Sequence, residues 1–227
     1  MTLPTSGTLS MSAINSEFAL GNNLGAYRGV RWYKDDNSRG FFDNSSTGNF
    51  PPIDFAEFYG TRSSIPVSPS GPTAQSNGSY FTFPFYNKIT VVITGGQAGS
   101  IGPNGYNGEG NYPTPGSNGN SGNPSYFGSD GASGGSPNSG TGSVRTIIFD
   151  ANNNTTSNNG SVTSGCPLKG ASLQSVIGSG GTGGRGGYNR LYRDYPHPYD
   201  YLDGWYNEDN GSYGSTGSSG SVTITVE

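Results

Sequence analysis

Cysteine is nearly missing from this chain of 227 residues, and Cys166 stands alone. A single thiol forms no intrachain disulfide and builds no cysteine zinc site. Histidine is as scarce, with His197 the one example. It lies in Tyr195-Pro196-His197-Pro198-Tyr199, where flanking prolines predict an extended loop, so neither a histidine metal cluster nor a catalytic triad is expected. Charge is thin, at 11% of residues, and the 11 basic residues are scattered, leaving no stripe to neutralise phosphates. Nucleic acid is therefore not an expected partner. No stretch approaches the about 18 apolar residues of a membrane span, and Met1-Thr2-Leu3-Pro4 lacks the charged and apolar regions of a secretion signal. Synthesis in a cytoplasm, without membrane insertion, is the expectation. Carboxylate pairs such as Asp200 with Asp203, or Glu208 with Asp209, arise in almost any sequence, and no glycan-hydrolysing scaffold accompanies them. Neither an enzyme nor a cofactor is expected.

Glycine is what the chain has in excess, at 40 positions. It returns at every third residue through Gly96, Gly99, Gly102, Gly105 and Gly108. Shorter runs follow at Gly116/Gly119/Gly122, Gly128/Gly131/Gly134, Gly178/Gly181/Gly184/Gly187 and Gly211/Gly214/Gly217/Gly220. A period of three belongs to the polyproline II helix, whose amides and carbonyls point outward and need partners from neighbouring chain. Collagen would need an unbroken, proline-rich repeat, and these runs break after three to five glycines. Plain Gly/Ser linker disorder is opposed by the phasing and by apolar strands that bracket the runs. With only 30% apolar residues, backbone hydrogen bonds and aromatic packing must replace much of an ordinary core.

Residues 1–62 read as a separate small module. Ser12 is positioned to cap a short helix ending near Gly21, and Tyr27 to Tyr33 reads as extended. In Pro52-Ile53-Asp54-Phe55-Ala56-Glu57-Phe58-Tyr59-Gly60, Asp54 and Glu57 have capping-box spacing and Ile53 and Phe58 the staple positions. Below about 70 residues a lone core is marginal, so this module is expected to lean on a partner. Residues 63–78 read as a proline-containing linker. Strands are expected at 80–85, where Pro84 demands an edge, and at 88–94, 143–149 and 221–226, with 173–177 a weaker candidate. The closing strand implies that the chain returns to pair where the second domain, 79–227, began. The Asn-rich span 150–160 reads as a polar loop rather than a calcium site, having one carboxylate and no EF-hand spacing. The predicted fold is thus mostly β and irregular: a small module with short helices, then packed polyproline II helices flanked by β-strands.

Phe81-Thr82-Phe83-Pro84, then Lys88-Ile89-Thr90-Val91-Val92-Ile93-Thr94-Gly95-Gly96, interrupted glycine triplets and a closing Ser221-Val222-Thr223-Ile224-Thr225-Val226 carry a resemblance. The pattern is similar to the glycine-rich domains of bacteriophage tail-fibre and appendage proteins. Leu9 to Ile14, Tyr27-Arg28-Gly29 and Ile53 to Gly60 resemble a short module found in phage virion proteins. The resemblance implies a virion location, docking of residues 1–62 to other virion proteins, and several copies per particle, a homotrimer being one arrangement. It also implies attachment to a host surface glycan or outer-membrane protein through loops between stacked polyproline II helices.

On that reading the receptor loop is the longest interruption, 188–210. Its candidate contacts are Tyr188, Arg190, Tyr192, Arg193, Tyr195, His197, Tyr199, Tyr201, Trp205 and Tyr206. Tyrosine and tryptophan supply rigid area with a polar tip, as binding surfaces require, and the same rings equally suit a small aromatic core. Residues 109–115 and 123–127 would flank the site if they emerge at the same end. Two other roles remain open: a structural head-decoration or tail-associated protein without receptor contact, and an ice-binding protein, which would need a flatter, more regular face.

Overall fold

The computed structural model describes residues 2–42, 53–104, 111–113, 115–137, 140–186, 188–193, 204–210 and 212–227, with backbone alone at 111–113, 188–193 and 204–210. The architecture is mostly β. In the amino-terminal module, helix α1 (Met11–Phe18) is capped by Ser10, two residues before the expected Ser12, because the Ser10 hydroxyl accepts from the Ala13 amide at 3.2 Å. Ile14 and Phe18, one turn apart, form its buried face. Tyr27, the first residue of the segment expected to be extended, instead closes a 3-10 turn at Leu24–Tyr27 capped by Asn23, and the strand β1 (Arg31–Lys34) starts only at Arg31. Strands β2 (Arg39–Phe41) and β3 (Thr61–Arg62) flank β1 antiparallel. The capping box is present as read: Asp54 Oδ1 accepts from the Ala56 amide at 2.6 Å, and Glu57 reaches back to the Asp54 amide. Ile53 and Phe58 are both buried beside it. Rings make this core: Phe18 meets Phe42 edge-on at 5.3 Å, and Tyr27 meets Phe58 at 5.4 Å.

Thirteen further strands follow among the described residues: β4 (Ser70–Ala74), β5 (Tyr80–Thr82), β6 (Lys88–Thr94), β7 (Asn111–Pro113), β8 (Ser125–Phe127), β9 (Asp130–Ala132), β10 (Val144–Asp150), β11 (Thr155–Asn158), β12 (Ser161–Ser164), β13 (Ser172–Val176), β14 (Tyr188–Arg193), β15 (Gly204–Asn210) and β16 (Ser221–Val226). A six-stranded sheet, β12-β11-β10-β6-β16-β4, packs on a four-stranded one, β5-β13-β8-β9. Alternation in β6 buries Ile89, Val91 and Ile93, and in β16 Val222, Ile224 and Val226, against Phe83, Tyr86 and Phe127. The closing strand pairs antiparallel with β6, Ser221 opposite Thr94, as the sequence predicted.

Four expectations are corrected. Within the predicted linker, 63–78, residues Ser70–Ala74 form β4, an edge strand on β16. Residues 125–127 are not a loop beside the site but a strand inside the sandwich. Gly128 and Gly131 belong to the β8–β9 hairpin, Gly128 in the left-handed region at φ 60°, and not to a three-residue repeat. The Asn-rich span folds as a tight turn leading into β11, where Asp150 Oδ1 accepts from the Asn152 and Asn153 amides.

The amino-terminal module leans on this sandwich. Arg39 Nη1 donates to Asn87 Oδ1 and Asn152 Oδ1, and Nη2 to Asn37 Oδ1 and the Tyr86 carbonyl at 2.6 Å. The Lys169 amide donates to the Asp36 carbonyl, and the Arg62 and Lys169 cations sit over the two sides of the joint at the Phe85 ring.

Candidate functional site beyond the glycine segments

Four strands of the sandwich run on into glycine segments without helix or strand character: β6 into 95–104, β16 out of 212–220, β8 out of 115–123, and β13 into 178–186. Hydrogen bonding changes period there from two residues to three. Amides of Gly96, Gly99 and Gly102 donate to carbonyls of Asn123, Asn120 and Ser117. Those three residues donate in turn to Ser179, Thr182 and Arg185, and Gly181 and Gly184 donate back to Gln97 and Ser100. The last segment closes a second cycle, with Gly214, Gly217 and Gly220 donating to Gly184, Gly181 and Gly178 while Gln97 and Ser100 donate to Ser218 and Ser215. Buried backbone groups thereby find partners without a sheet ladder.

Only glycine permits this approach. A Cβ built at Gly99, Gly119, Gly181 or Gly183 would lie less than 3.0 Å from a carbonyl oxygen of the adjacent segment. The positions between carry side-chain pairs along one flank, Asn120 Nδ2 to Thr182 Oγ1 at 2.6 Å and Asn123 Nδ2 to Ser179 Oγ at 2.8 Å.

The pairing fixes where the long interruptions emerge. Gly102 lies against Arg185 and Gly116, and Gly214 against Gly183 and Ser100, so the described segments that end at 104 and 186 and those that begin at 115 and 212 all terminate at one end of the stack. The sandwich occupies the other end. At the far end β7, β14 and β15 form an antiparallel sheet in the order β15-β14-β7. Within the expected loop, residues 188–193 and 204–210 are thus paired strands, and residues 111–113 lie along one of them. Arg190 pairs in register with both Tyr112 and Asn207, and Tyr192 with Trp205. Strand alternation places positions 112, 190, 192, 205 and 207 on one face and 111, 191 and 206 on the other. Tyr188 lies at a register irregularity and Arg193 opposite Gly204. Tyr195, His197, Tyr199 and Tyr201 fall outside the described residues. Tyr112, inside the expected flanking segment 109–115, stands in register with Arg190 without having been among the candidate contacts; an aromatic inside a break between two glycine runs was the available signal.

Among the described residues, no group of three His, Cys, Asp or Glu could hold a metal ion, and no helix is long and apolar enough to cross a membrane. The fold therefore defines the class as a two-layer antiparallel sandwich that continues into a glycine stack tipped by a small sheet. No family model, curated protein or solved structure matches the chain.

Proposed function

We propose that the chain is a bacteriophage virion appendage protein, of tail-fibre or tail-tip type, that attaches to the host cell surface through the β7–β14–β15 sheet. We further propose that the four glycine segments are short polyproline II helices, consistent with their three-residue hydrogen-bond period. One observation carries the functional reading: both long interruptions emerge at the end of the stack away from the sandwich, so the aromatic strands are presented at a tip. A scaffold held by interlocked backbone bonds loses little entropy on binding, and Tyr112, Tyr192 and Trp205 are residue types that give contact area at low rotamer cost. The ligand is a surface glycan or an outer-membrane protein loop, engaged reversibly and strengthened by several copies per particle. Residues 1–62, which pack through Arg39 and Asn37 on the chain's own sandwich, join the rest of the appendage through their remaining surface. The role requires no catalysis and no cofactor.

Labelled protein incubated with bacterial strains, beside a variant in which 190–208 is replaced by a short Gly/Ser bridge, tests the reading. Saturable binding to susceptible strains, lost in a bridged variant whose circular dichroism retains the sandwich signal, is expected. A folded intact protein that binds no strain infected by its particle would leave a structural virion role as the better account.

A further inference from the structure

The six-stranded sheet ends in two edges of different character. At β4, Pro72 lies within the strand and the pairing with β16 slips between Ile224 and Val226, two features that blunt an edge. The other edge, β12, reads Ser161-Val162-Thr163-Ser164 and carries no charge, no proline and no bulge. All four residues are exposed, and Val162 is 65% exposed, so among the described residues no other element covers the strand.

The turn before it determines which backbone groups are free. Asn159 and Gly160 both have positive φ, 48° and 93°, the signature of a two-residue I′ turn joining β11 to β12. In such a hairpin the flanking residues, Asn158 and Ser161, exchange hydrogen bonds, and the pattern alternates outward from there. Ser161 and Thr163 therefore face β11, and the amides and carbonyls of Val162 and Ser164 point away from the sheet. Two donors and two acceptors, symmetric about Thr163, form a self-complementary set.

We propose that β12 is the surface on which two copies of this chain join, antiparallel, about a twofold axis through Thr163. Val162 of one copy exchanges both backbone bonds with Ser164 of the other, and the two six-stranded sheets become one of twelve strands. Thr163 then faces its own counterpart in a non-hydrogen-bonded pair, where Cα atoms lie about 4.5 Å apart and Thr–Thr pairs are favourable. The absence of charge at the edge removes the repulsion that would oppose like strands meeting, and a twofold contact differs from the threefold arrangement considered from sequence. The inference stands on the edge itself and not on host binding.

The decisive experiment is cross-linking across the axis. In a Cys166→Ser background, Thr163→Cys places two thiols at a separation that a disulfide accepts, whereas Ser161→Cys, two positions off the axis on each strand, does not. Under mild oxidation the Thr163→Cys protein is expected to form covalent dimer at least tenfold faster than the Ser161→Cys protein. Sedimentation of the unmodified chain should show a concentration-dependent dimer. Val162→Pro, which removes an outward amide that the hairpin does not use, should raise the dimer dissociation constant at least tenfold with unchanged circular dichroism. Equal cross-linking rates, or an unmodified chain that sediments only as a monomer or trimer at its highest soluble concentration, would overturn the proposal.

Discussion

A methyl group on Gly99 would meet the carbonyl of Thr182 well inside contact distance, and both partners are backbone held by bonds on either side. Relief by side-chain movement is not available there. Gly99→Ala is accordingly expected to cost at least about 1–3 kcal/mol, read as a lowered urea midpoint. Gly71, in the exposed strand β4, has nothing within 4 Å of its built Cβ and no positive φ, so Gly71→Ala should stay within about 0.5 kcal/mol of the parent. Tyr86 gives a second test at this scale. Its hydroxyl donates to the Pro167 carbonyl at 2.6 Å, and burial, reinforced by nearby Cys166, pushes its phenol well above the usual tyrosine value. A proton held more tightly in the folded state gives stability that is complete below the unfolded value of about 10 and is lost as pH rises beyond it. Tyr86→Phe should therefore cost about 1 kcal/mol near neutral pH, and the gap to the parent should narrow at about pH 11.

Among the elements, legibility followed how local the cause is. Strands β6, β10 and β16 announce themselves through alternating Ile, Val and Phe, and the capping box at Asp54 is complete within four residues. Strands β4, β11 and β12 are built of Ser, Thr, Gly, Pro, Ala, Asn and Val with little apolar alternation. β4 and β11 are strands because β16 and β10 offer them open edges, and β12 because β11 then does the same, which is a tertiary cause. In the glycine segments the period was readable and the partners were not. Proline substitution separates the two kinds of position. The Asn120 amide donates to Thr182, so Asn120→Pro orphans that carbonyl and should cost about 1–3 kcal/mol. The Asn118 amide has no such partner among the described residues, and a polyproline II backbone already has the φ that proline fixes. Asn118→Pro is expected to be neutral or to stabilise by about 0.4–1 kcal/mol in the same denaturation assay, and a large loss there would contradict the polyproline II proposal.

At the scale of the whole molecule, Arg39 couples the amino-terminal module to the sandwich through neutral acceptors on both bodies. Arg39→Ala should lower stability by about 2–3 kcal/mol, and calorimetry should resolve a separate early transition for residues 1–62 where the parent shows one. The sequence could predict that this module needs a partner, because its core is small, yet the partner it finds is partly its own chain. By itself the sequence determined the local matters: where apolar alternation makes a strand, where a cap starts a turn, and where a three-residue glycine period leaves one face bare. Only the tertiary structure decided that the glycine segments continue the two layers of the sandwich, and hence that residues 111–113, 188–193 and 204–210 meet at one end. The physical reason is that unpaired backbone groups specify that partners must exist without specifying which. That choice was made by the directions in which β6, β8, β13 and β16 enter and leave the sandwich.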